Sequence, residues 1–256
     1  MSFPWQLFRV WLRREVKSRY AGSFAGSLWA IAGPLFTVAL FYVLFAFIFR
    51  VRVPEIASQA GYFYYLLAGI LPWLTISEGL SRATGVIVGH EQFLQKQAFP
   101  VEILPLTSVF GALFAQLVGT VIFVLLLLWA GLLGPQVLWL FPLAFMAQVI
   151  MTTGLALVLA ILSVHFRDML HAVPLLLQFF FYATPILYQL AMVPEAYRPL
   201  FLLNPFACLV TVYHAAFLGM PLSPTVLIAL FAWIIVLGVG GILLFRVLKP
   251  TIGETA

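Results

Sequence analysis

Residues 103–129 read ILPLTSVFGALFAQLVGTVIFVLLLLW, a run without a single charged side chain. A helix needs about 20 apolar residues to cross a hydrocarbon core of roughly 30 Å, so this run is long enough to span a membrane. The composition agrees, because 64% of the chain is hydrophobic and only 8% is charged, against about 25% charged residues in soluble domains. We therefore predict an integral membrane protein.

Other runs share this character and bring the predicted number of transmembrane helices to six. They are Trp29–Phe49, Tyr62–Leu80, Leu138–Val164, Val173–Leu190 and Val226–Phe245. No strand alternation occurs, and backbone in lipid must satisfy its own hydrogen bonds, so the predicted fold class is all-α. We predict one transmembrane domain over 1–256, with an amphipathic interface helix in 1–28 and a six-span bundle in 29–249.

The apolar region between the last two spans is interrupted by Pro199 and by Asn204-Pro205. Proline removes a backbone donor and clashes with the preceding helical turn. We therefore predict two short re-entrant helices on the periplasmic side; a seventh span is the alternative.

The orientation follows from lysine and arginine, which accumulate on the cytoplasmic side of membrane proteins. With a cytoplasmic N-terminus, all 13 of these residues except Arg50, Arg52 and Arg198 lie inside. We therefore predict that both termini are cytoplasmic. The net charge of +5 then indicates a cytoplasmic rim that faces anionic lipid, and no nucleic-acid partner is expected. We also expect no cleavable signal peptide, because the first 28 residues are rich in charge and the first apolar run is a full-length span.

The N-terminal segment has the pattern of a basic amphipathic helix in the cytoplasmic membrane interface. Its apolar arc holds Trp5, Phe8, Trp11, Leu12 and Val16, and its polar arc holds Gln6, Arg9, Arg13, Arg14 and Lys17. Two roles stay open: a membrane anchor, or an anchor that also offers a docking surface for a partner.

No motif for chemistry occurs in the chain. A phosphate-binding loop needs Gly-Lys-Ser/Thr, and none of Lys17, Lys96 and Lys249 follows a glycine. CxxC and HExxH are absent as well, Cys208 is the single cysteine, and Glu78 has Arg82 one turn later as its expected ion-pair partner. We therefore expect no enzyme activity, no metal and no cofactor in this chain, whose energy must come from elsewhere.

A polar segment, HEQFLQKQAFPVEILP at 90–105, separates the second and third spans. Its first part, His90 to Ala98, fits a short helix that ends before Pro100, and a mere connection has no need of apolar side chains such as Phe93 and Leu94. A second connection, VHFRDMLHAVP, joins spans four and five. Either segment can be a coupling helix that seats in a separate ATPase, or a solvated loop. The candidate coupling residues are His90, Glu91, Phe93, Leu94 and Lys96.

Five stretches in order resemble the permease subunit of ABC transporters that export O-antigen and capsular polysaccharides, in the type-2 permease class. They are RREVKSRYAGSFAGSLWAIAGPL, GILPWLTISEGL, FLQKQAFPVEILPL, VHFRDMLHAVPLLLQFFFYATPILY and NPFACLVTVYHAAFLG. The resemblance covers essentially the whole chain and is greater to the O-antigen branch than to the capsule branch, with teichoic-acid exporters as close relatives.

The resemblance implies a homodimer with two copies of a cytoplasmic ATPase, which binds ATP and Mg. The implied cargo is a lipid-linked polysaccharide that crosses the bacterial inner membrane. The ATPase would meet the coupling segment and the interface helix, with Trp5, Phe8, Arg9, Trp11, Arg13 and Arg14 as candidates. The external segment Pro194–Met220 would close the channel, with gate candidates Asn204, Pro205, Tyr213 and His214.

Aromatic side chains are dense in two spans, at Phe36–Phe49 and at Gln178–Tyr188. Flat rings stack on the C–H faces of sugars, so these spans are candidates for a channel lining. On a helix, Gln178 shares a face with Phe181 and Tyr182. We predict this face, with Tyr42, as lining, and Phe179 and Phe180 as packing residues.

Two other function classes remain open. One is a type-2 ABC permease for a small molecule such as a drug or a haem precursor, which the neighbouring genes would distinguish. The other is an ATPase-independent channel or scaffold, which would not co-purify with a nucleotide-binding subunit.

Overall fold

The structure is a computed structural model that describes residues 4–18, 36–37, 39–48, 61–90 and 99–251. Every regular element in these ranges is helical, in agreement with the predicted fold class. The main helices are α1 (Trp5–Ser18), α2 (Gly61–Val86), α3 (Ile103–Trp129), α4 (Val137–His165), α5 (Met169–Ala183), α6 (Pro205–Leu218) and α7 (Pro224–Leu248). A π-helical turn at Ile234–Val239 lies inside α7, and another at Val43–Ile48 ends the described part of the first predicted span.

Among the described residues, α2, α3, α4 and α7 are long and apolar enough to cross a membrane. The third span matches its predicted bounds residue for residue, whereas α7 extends the sixth span by a few residues at each end. Most of the first predicted span, Trp29–Phe49, lies outside the described residues, so the count of six stays a prediction. Helix α2 is the most enclosed of the four and lies at the centre of the bundle.

Helix α5 differs from the predicted span Val173–Leu190, because it begins at Met169 and ends at Ala183. The early end has a local cause: Thr184 precedes Pro185, and a residue before proline is pushed out of the helical region. The C-cap Thr184 is extended, with φ −102° and ψ 138°. Fifteen residues give a helix of about 22 Å, shorter than a hydrocarbon core.

The interrupted region 195–218 forms two short helices, as predicted. A 3₁₀ helix, Glu195–Leu203, meets α6 at a bend of 105°. A pair bent in this way fits either a re-entrant loop or a broken span, so the choice between the re-entrant helices and a seventh span stays a prediction. Helix α6 is buried along its length except at Thr211 and Leu218, because it packs against α2 and α4.

Helices α4 and α7 cross so closely that only glycine fits at the contact. A Cβ atom added to Gly154 would lie 2.6 Å from the carbonyl oxygen of Gly238 and closer still to that of Leu237. A Cβ atom on Gly241 would lie 2.5 Å from the carbonyl oxygen of Gly154. Small residues at such crossings let helix backbones approach in a membrane, where dispersion contacts replace the hydrophobic effect between helices.

Candidate functional site

Helix α1 packs on the side of the bundle through Phe8. The ring of Phe8 is 8% exposed and meets the ring of Phe110 on α3 edge to face, with centroids 5.6 Å apart. On the same side of α1, Glu15 accepts a hydrogen bond of 3.3 Å from Arg82 of α2. Arg82 also bonds Glu78 at 3.0 Å, which confirms the predicted local ion pair. Because these charges are partly exposed, they orient α1 more than they stabilise it.

Trp11 of α1 contacts residues at both ends of the predicted coupling segment. Its ring lies 5.7 Å from the ring of His90 and 5.7 Å from that of Phe99. The guanidinium of Arg14 lies 5.2 Å from the centre of the same indole ring, within the range of a cation–π interaction. The other coupling candidates, Glu91, Phe93, Leu94 and Lys96, lie outside the described residues, so their role stays a prediction.

A second ion pair follows the coupling segment in the chain. Lys249, at the end of α7, donates to Glu102 at 2.7 Å, and Glu102 directly precedes α3. The pair joins the chain after the coupling segment to the C-terminal end of the last long helix.

Asn204 holds the corner between the 3₁₀ helix and α6. Its Oδ1 accepts hydrogen bonds from the backbone N–H groups of Phe206 and Ala207, at 3.0 and 3.2 Å. Its Nδ2 donates to the carbonyl oxygen of Ala183 at 3.2 Å and to the hydroxyl of Thr184 at 3.1 Å. One side chain therefore caps α6 and ties it to the end of α5, and Pro205 at the first position of α6 suits this cap.

The gate candidate Tyr213 is buried inside the helix bundle. Its hydroxyl donates to Oε1 of Gln148 on α4 and accepts a 3.2 Å hydrogen bond from Gln116 on α3. The two amides also bond each other, and Gln148 donates at 3.4 Å to the carbonyl oxygen of Pro72 on α2. These three side chains, which we call the amide–tyrosine cluster, join α2, α3, α4 and α6.

The neighbouring gate candidate His214 is also enclosed, with 3% of its surface exposed. Its ring stacks on Tyr65 of α2 with centroids 4.0 Å apart, and its Nε2 lies 3.0 Å from the Tyr65 carbonyl oxygen. The Tyr65 hydroxyl donates to the carbonyl oxygens of Pro185 and Tyr188, after α5. Tyr213 and His214 are therefore joined to the core in this state, and their predicted part in a gate is untested.

The predicted lining face on α5 divides into exposed and packed side chains. Gln178, Phe179 and Tyr182 are exposed on the surface of the chain. Phe181 is half-buried, with its ring 5.8 Å from Trp73 and 5.5 Å from Phe41. Phe180, a predicted packing residue, is half-buried against Phe206.

Tyr42, the remaining lining candidate, is also half-buried, with its ring 5.4 Å from that of Phe63. Exposure in a single chain does not separate a channel wall from a lipid-facing surface. The lining therefore stays a prediction.

The possible metal ligands of the described residues are scattered. No three His, Cys, Asp or Glu side chains gather there in a group that could hold an ion. Cys208 is buried in α6, with its thiol near the carbonyl oxygens of Phe201 and Leu202. The expectations of no metal and no cofactor stay predictions.

Comparison with known proteins identifies the family. The profile of the ABC-2 type transporters matches residues 6–218, which is most of the chain. The chain belongs to this family. The family and the long apolar helices together make it a multi-pass membrane protein.

Individual relatives of this ABC-2 transporter chain come from two kinds of system. An O-antigen export system permease protein of Klebsiella pneumoniae is 28% identical, over 99% of this chain and 96% of the relative. A protein with the same name from Myxococcus xanthus is 34% identical, over 80% of this chain and 78% of the relative. A polysialic acid transport protein of Escherichia coli is 24% identical, over 79% of this chain and 78% of the relative.

Sequence reasoning missed the amide–tyrosine cluster of this ABC-2 chain, although a signal for it was present. Gln116 and Gln148 each stand inside a long apolar run. A polar side chain inside a membrane span usually faces the protein interior and finds a partner there. The pairing of these two amides with Tyr213 could not be predicted, because it depends on the depth at which α6 enters the bundle.

Proposed function

We propose that the chain is the channel-forming permease subunit of an ATP-driven exporter of a lipid-linked polysaccharide, with O-antigen as the first candidate and capsular polysaccharide as the second. The carrying observation is similarity over nearly the whole of an O-antigen export permease. A capsule-type relative, named for polysialic acid transport, aligns over most of the chain as well. The two sets of relatives differ in their named polysaccharide and share export or transport of a glycan.

The proposed assembly is a homodimer with two copies of a separate cytoplasmic ATPase in the bacterial inner membrane, with both termini cytoplasmic. The sequence supports a separate ATPase, because no Gly-Lys-Ser/Thr loop occurs in the chain. The excess of lysine and arginine on one side of the predicted spans supports the orientation. ATP and Mg would be bound by the partner, while this subunit encloses the path of the cargo.

The contacts of Trp11 support a mechanical role for α1. Trp11 contacts His90 and Phe99, and Glu15 of the same helix bonds Arg82 of α2. A movement of the coupling segment, driven by the ATPase, would therefore reach α1 through Trp11 and the core through Arg82. In this scheme the flank of α1 with Trp11 and Arg14 faces the ATPase.

The proposed cargo path runs beside α5. Gln178 and Tyr182 are one helical turn apart and both exposed, so they offer polar and aromatic contacts to a sugar chain. Phe181 supports this surface from behind, through Trp73 and Phe41.

The proposed function is tested by purifying the chain with its partner ATPase and reconstituting both in vesicles. We expect lipid-linked polysaccharide to stimulate ATP hydrolysis and to appear on the opposite side of the membrane. The matched control is the same complex with the Walker lysine of the ATPase replaced by alanine, which should abolish both signals. Stimulation by a small molecule but not by glycan would contradict the polysaccharide assignment, and transport without a bound ATPase would contradict the ATP-driven scheme.

A further inference from the structure

An open groove of about 410 Å³ runs along α1 beside α3. Its walls combine two kinds of side chain, cationic and apolar. They are Arg9, Leu12, Arg13, Val16, Lys17 and Phe114. The groove lies on the flank of α1 away from Trp11, so it is separate from the proposed coupling contacts.

The cations form a regular stripe along one edge of the groove. Arg9, Arg13 and Lys17 follow each other at intervals of four residues, which places them on one side of the helix, one turn apart. All three are exposed, and within the described part of the chain none of them forms an ion pair. Glu15, the single acid of α1, bonds Arg82 of α2. Three positive charges therefore meet at the groove without a counter-charge from the described residues.

The floor of the groove is apolar and continues along α3. Phe114 is 57% exposed, although Phe110 one turn earlier is covered by Phe8. Beyond Phe114 the same side of α3 exposes Val118, Val121 and Leu125. In a membrane-spanning helix such a stripe faces acyl chains, and it begins directly below the three cations.

We propose that this groove is a binding site for one anionic glycerophospholipid of the membrane. Its headgroup phosphate would be held by Arg9, Arg13 and Lys17, and one acyl chain would lie on Phe114 and the stripe beyond it. Arginine binds phosphate oxygens through paired N–H donors, and lysine adds a mobile point charge. The apolar floor matches a lipid better than an acidic protein surface, because a protein partner would leave its polar groups facing Phe114, Leu12 and Val16 without hydrogen bonds.

A bound phospholipid would have a structural consequence for coupling. The lipid and Phe8 would hold α1 from two sides, and this would fix the rotation of α1 about its own axis. The same rotation sets the position of Trp11 between His90 and Phe99. The site therefore predicts that anionic lipid supports coupling without contact to ATP or to cargo. It rests on the membrane location of the chain and is independent of which glycan is exported.

The test measures lipid binding to the full-length chain in detergent by native mass spectrometry. The probes are phosphatidylglycerol and phosphatidylcholine with identical acyl chains. We compare Arg9→Gln/Arg13→Gln with a control pair that removes the same charge elsewhere, Arg167→Gln/Arg246→Gln. The control residues are exposed and lie outside the groove. Since each basic residue near an anionic surface contributes about fivefold to binding, we expect phosphatidylglycerol to bind roughly 10- to 30-fold more weakly to the groove pair than to the control pair.

Further measurements distinguish a phospholipid from other possible ligands of the groove. Phe114→Ala keeps every charge and should weaken binding of long-chain phosphatidylglycerol, which keeps the proposal testable if the double variant is poorly folded. Equal binding of the two lipids to the unaltered chain, or equal losses in both charge pairs, would overturn the proposal. Displacement of phosphatidylglycerol by glycerol phosphate would indicate a free-anion site. Displacement by a polyprenyl pyrophosphate at lower concentration would make the groove a cargo site, and either displacement overturns the phospholipid assignment.

Discussion

Replacing Gly154 by alanine sets two effects on stability against each other: a gain in helix propensity and a steric clash where α4 crosses α7. Alanine favours a helix interior over glycine by about 1 kcal/mol, so propensity alone predicts a more stable protein. The crossing of α4 and α7 predicts the reverse. The new Cβ would lie 2.6 Å from the carbonyl oxygen of Gly238, whereas a C···O contact is normally about 3.3 Å or longer.

The new Cβ belongs to the α4 position and meets backbone carbonyl oxygens of α7, so no side chain can rotate to relieve the clash. The two helices would have to separate by about 1 Å, and overpacking of this kind costs about 1 to 3 kcal/mol. Taking the upper end, because backbone must move, and subtracting the propensity gain leaves a destabilisation of about 2 kcal/mol. For a chain of this size, that corresponds to a fall in unfolding temperature of about 4 to 8 °C.

Gly119→Ala is the matched control. Gly119 is inside α3, and a Cβ there would meet only the tip of the Leu71 side chain, at 3.3 Å, which can move aside. We expect this variant to be as stable as the unaltered chain or slightly more stable. The measurement is the unfolding temperature of each purified variant in the same mild detergent. A Gly154→Ala variant that melts at or above the unaltered chain would refute the close crossing.

Three further predictions follow from the site. Trp11→Ala should leave the chain folded but cut glycan-stimulated ATP turnover severalfold. Trp5→Ala should not, because Trp5 is 64% exposed and its ring packs on Phe8 of the same helix. Equal turnover in both variants would contradict the coupling role. Tyr182→Ala should lower export at an unchanged protein level. Phe181→Ala removes contacts to Trp73 and Phe41 and should lower the protein level. The opposite pattern would mean that a different face of α5 lines the path. Asn204→Ala should lower the unfolding temperature, because it removes an N-cap worth about 1 kcal/mol and leaves buried partners unpaired. Asn204→Asp keeps the hydrogen-bond acceptor and should recover part of the lost unfolding temperature.

The long spans could be predicted from sequence because a single requirement determines them. A segment that crosses lipid must be apolar throughout, and this requirement alone predicts the bounds of the span Ile103–Trp129. The end of α5 was predicted wrongly, since the apolar run continues to Leu190 while the helix stops at Ala183. The span was predicted from hydropathy, which does not include the backbone restriction that Pro185 imposes on Thr184. Pro185 itself is present in the sequence and could have indicated the end of the helix.

The predicted gate shows where sequence reasoning reaches its limit. The interruption at Asn204-Pro205 correctly indicated a bend, because local chemistry creates it. Tyr213 and His214 were gate candidates because the resemblance implies that the external segment closes the channel. The structure places both against α2, α3 and α4, and their part in a gate is untested. Which role a polar residue takes depends on the tertiary neighbours of α6, and hydropathy carries no information about them.

The amide–tyrosine cluster also limits how the proposed channel can open. It joins α2, α3, α4 and α6 through hydrogen bonds between buried groups, and leaving such groups unpaired costs about 1 to 3 kcal/mol each. A movement that separated these helices in every transport cycle would therefore have to overcome several unpaired groups at once. Among the described residues, helix α5 has fewer restraints of this kind, since Asn204 ties only its end and Phe181 packs on its inner side. We therefore expect α2, α3, α4 and α6 to move as one body, and the path for cargo to widen by displacement of α5 and of the 3₁₀ helix Glu195–Leu203 against that body.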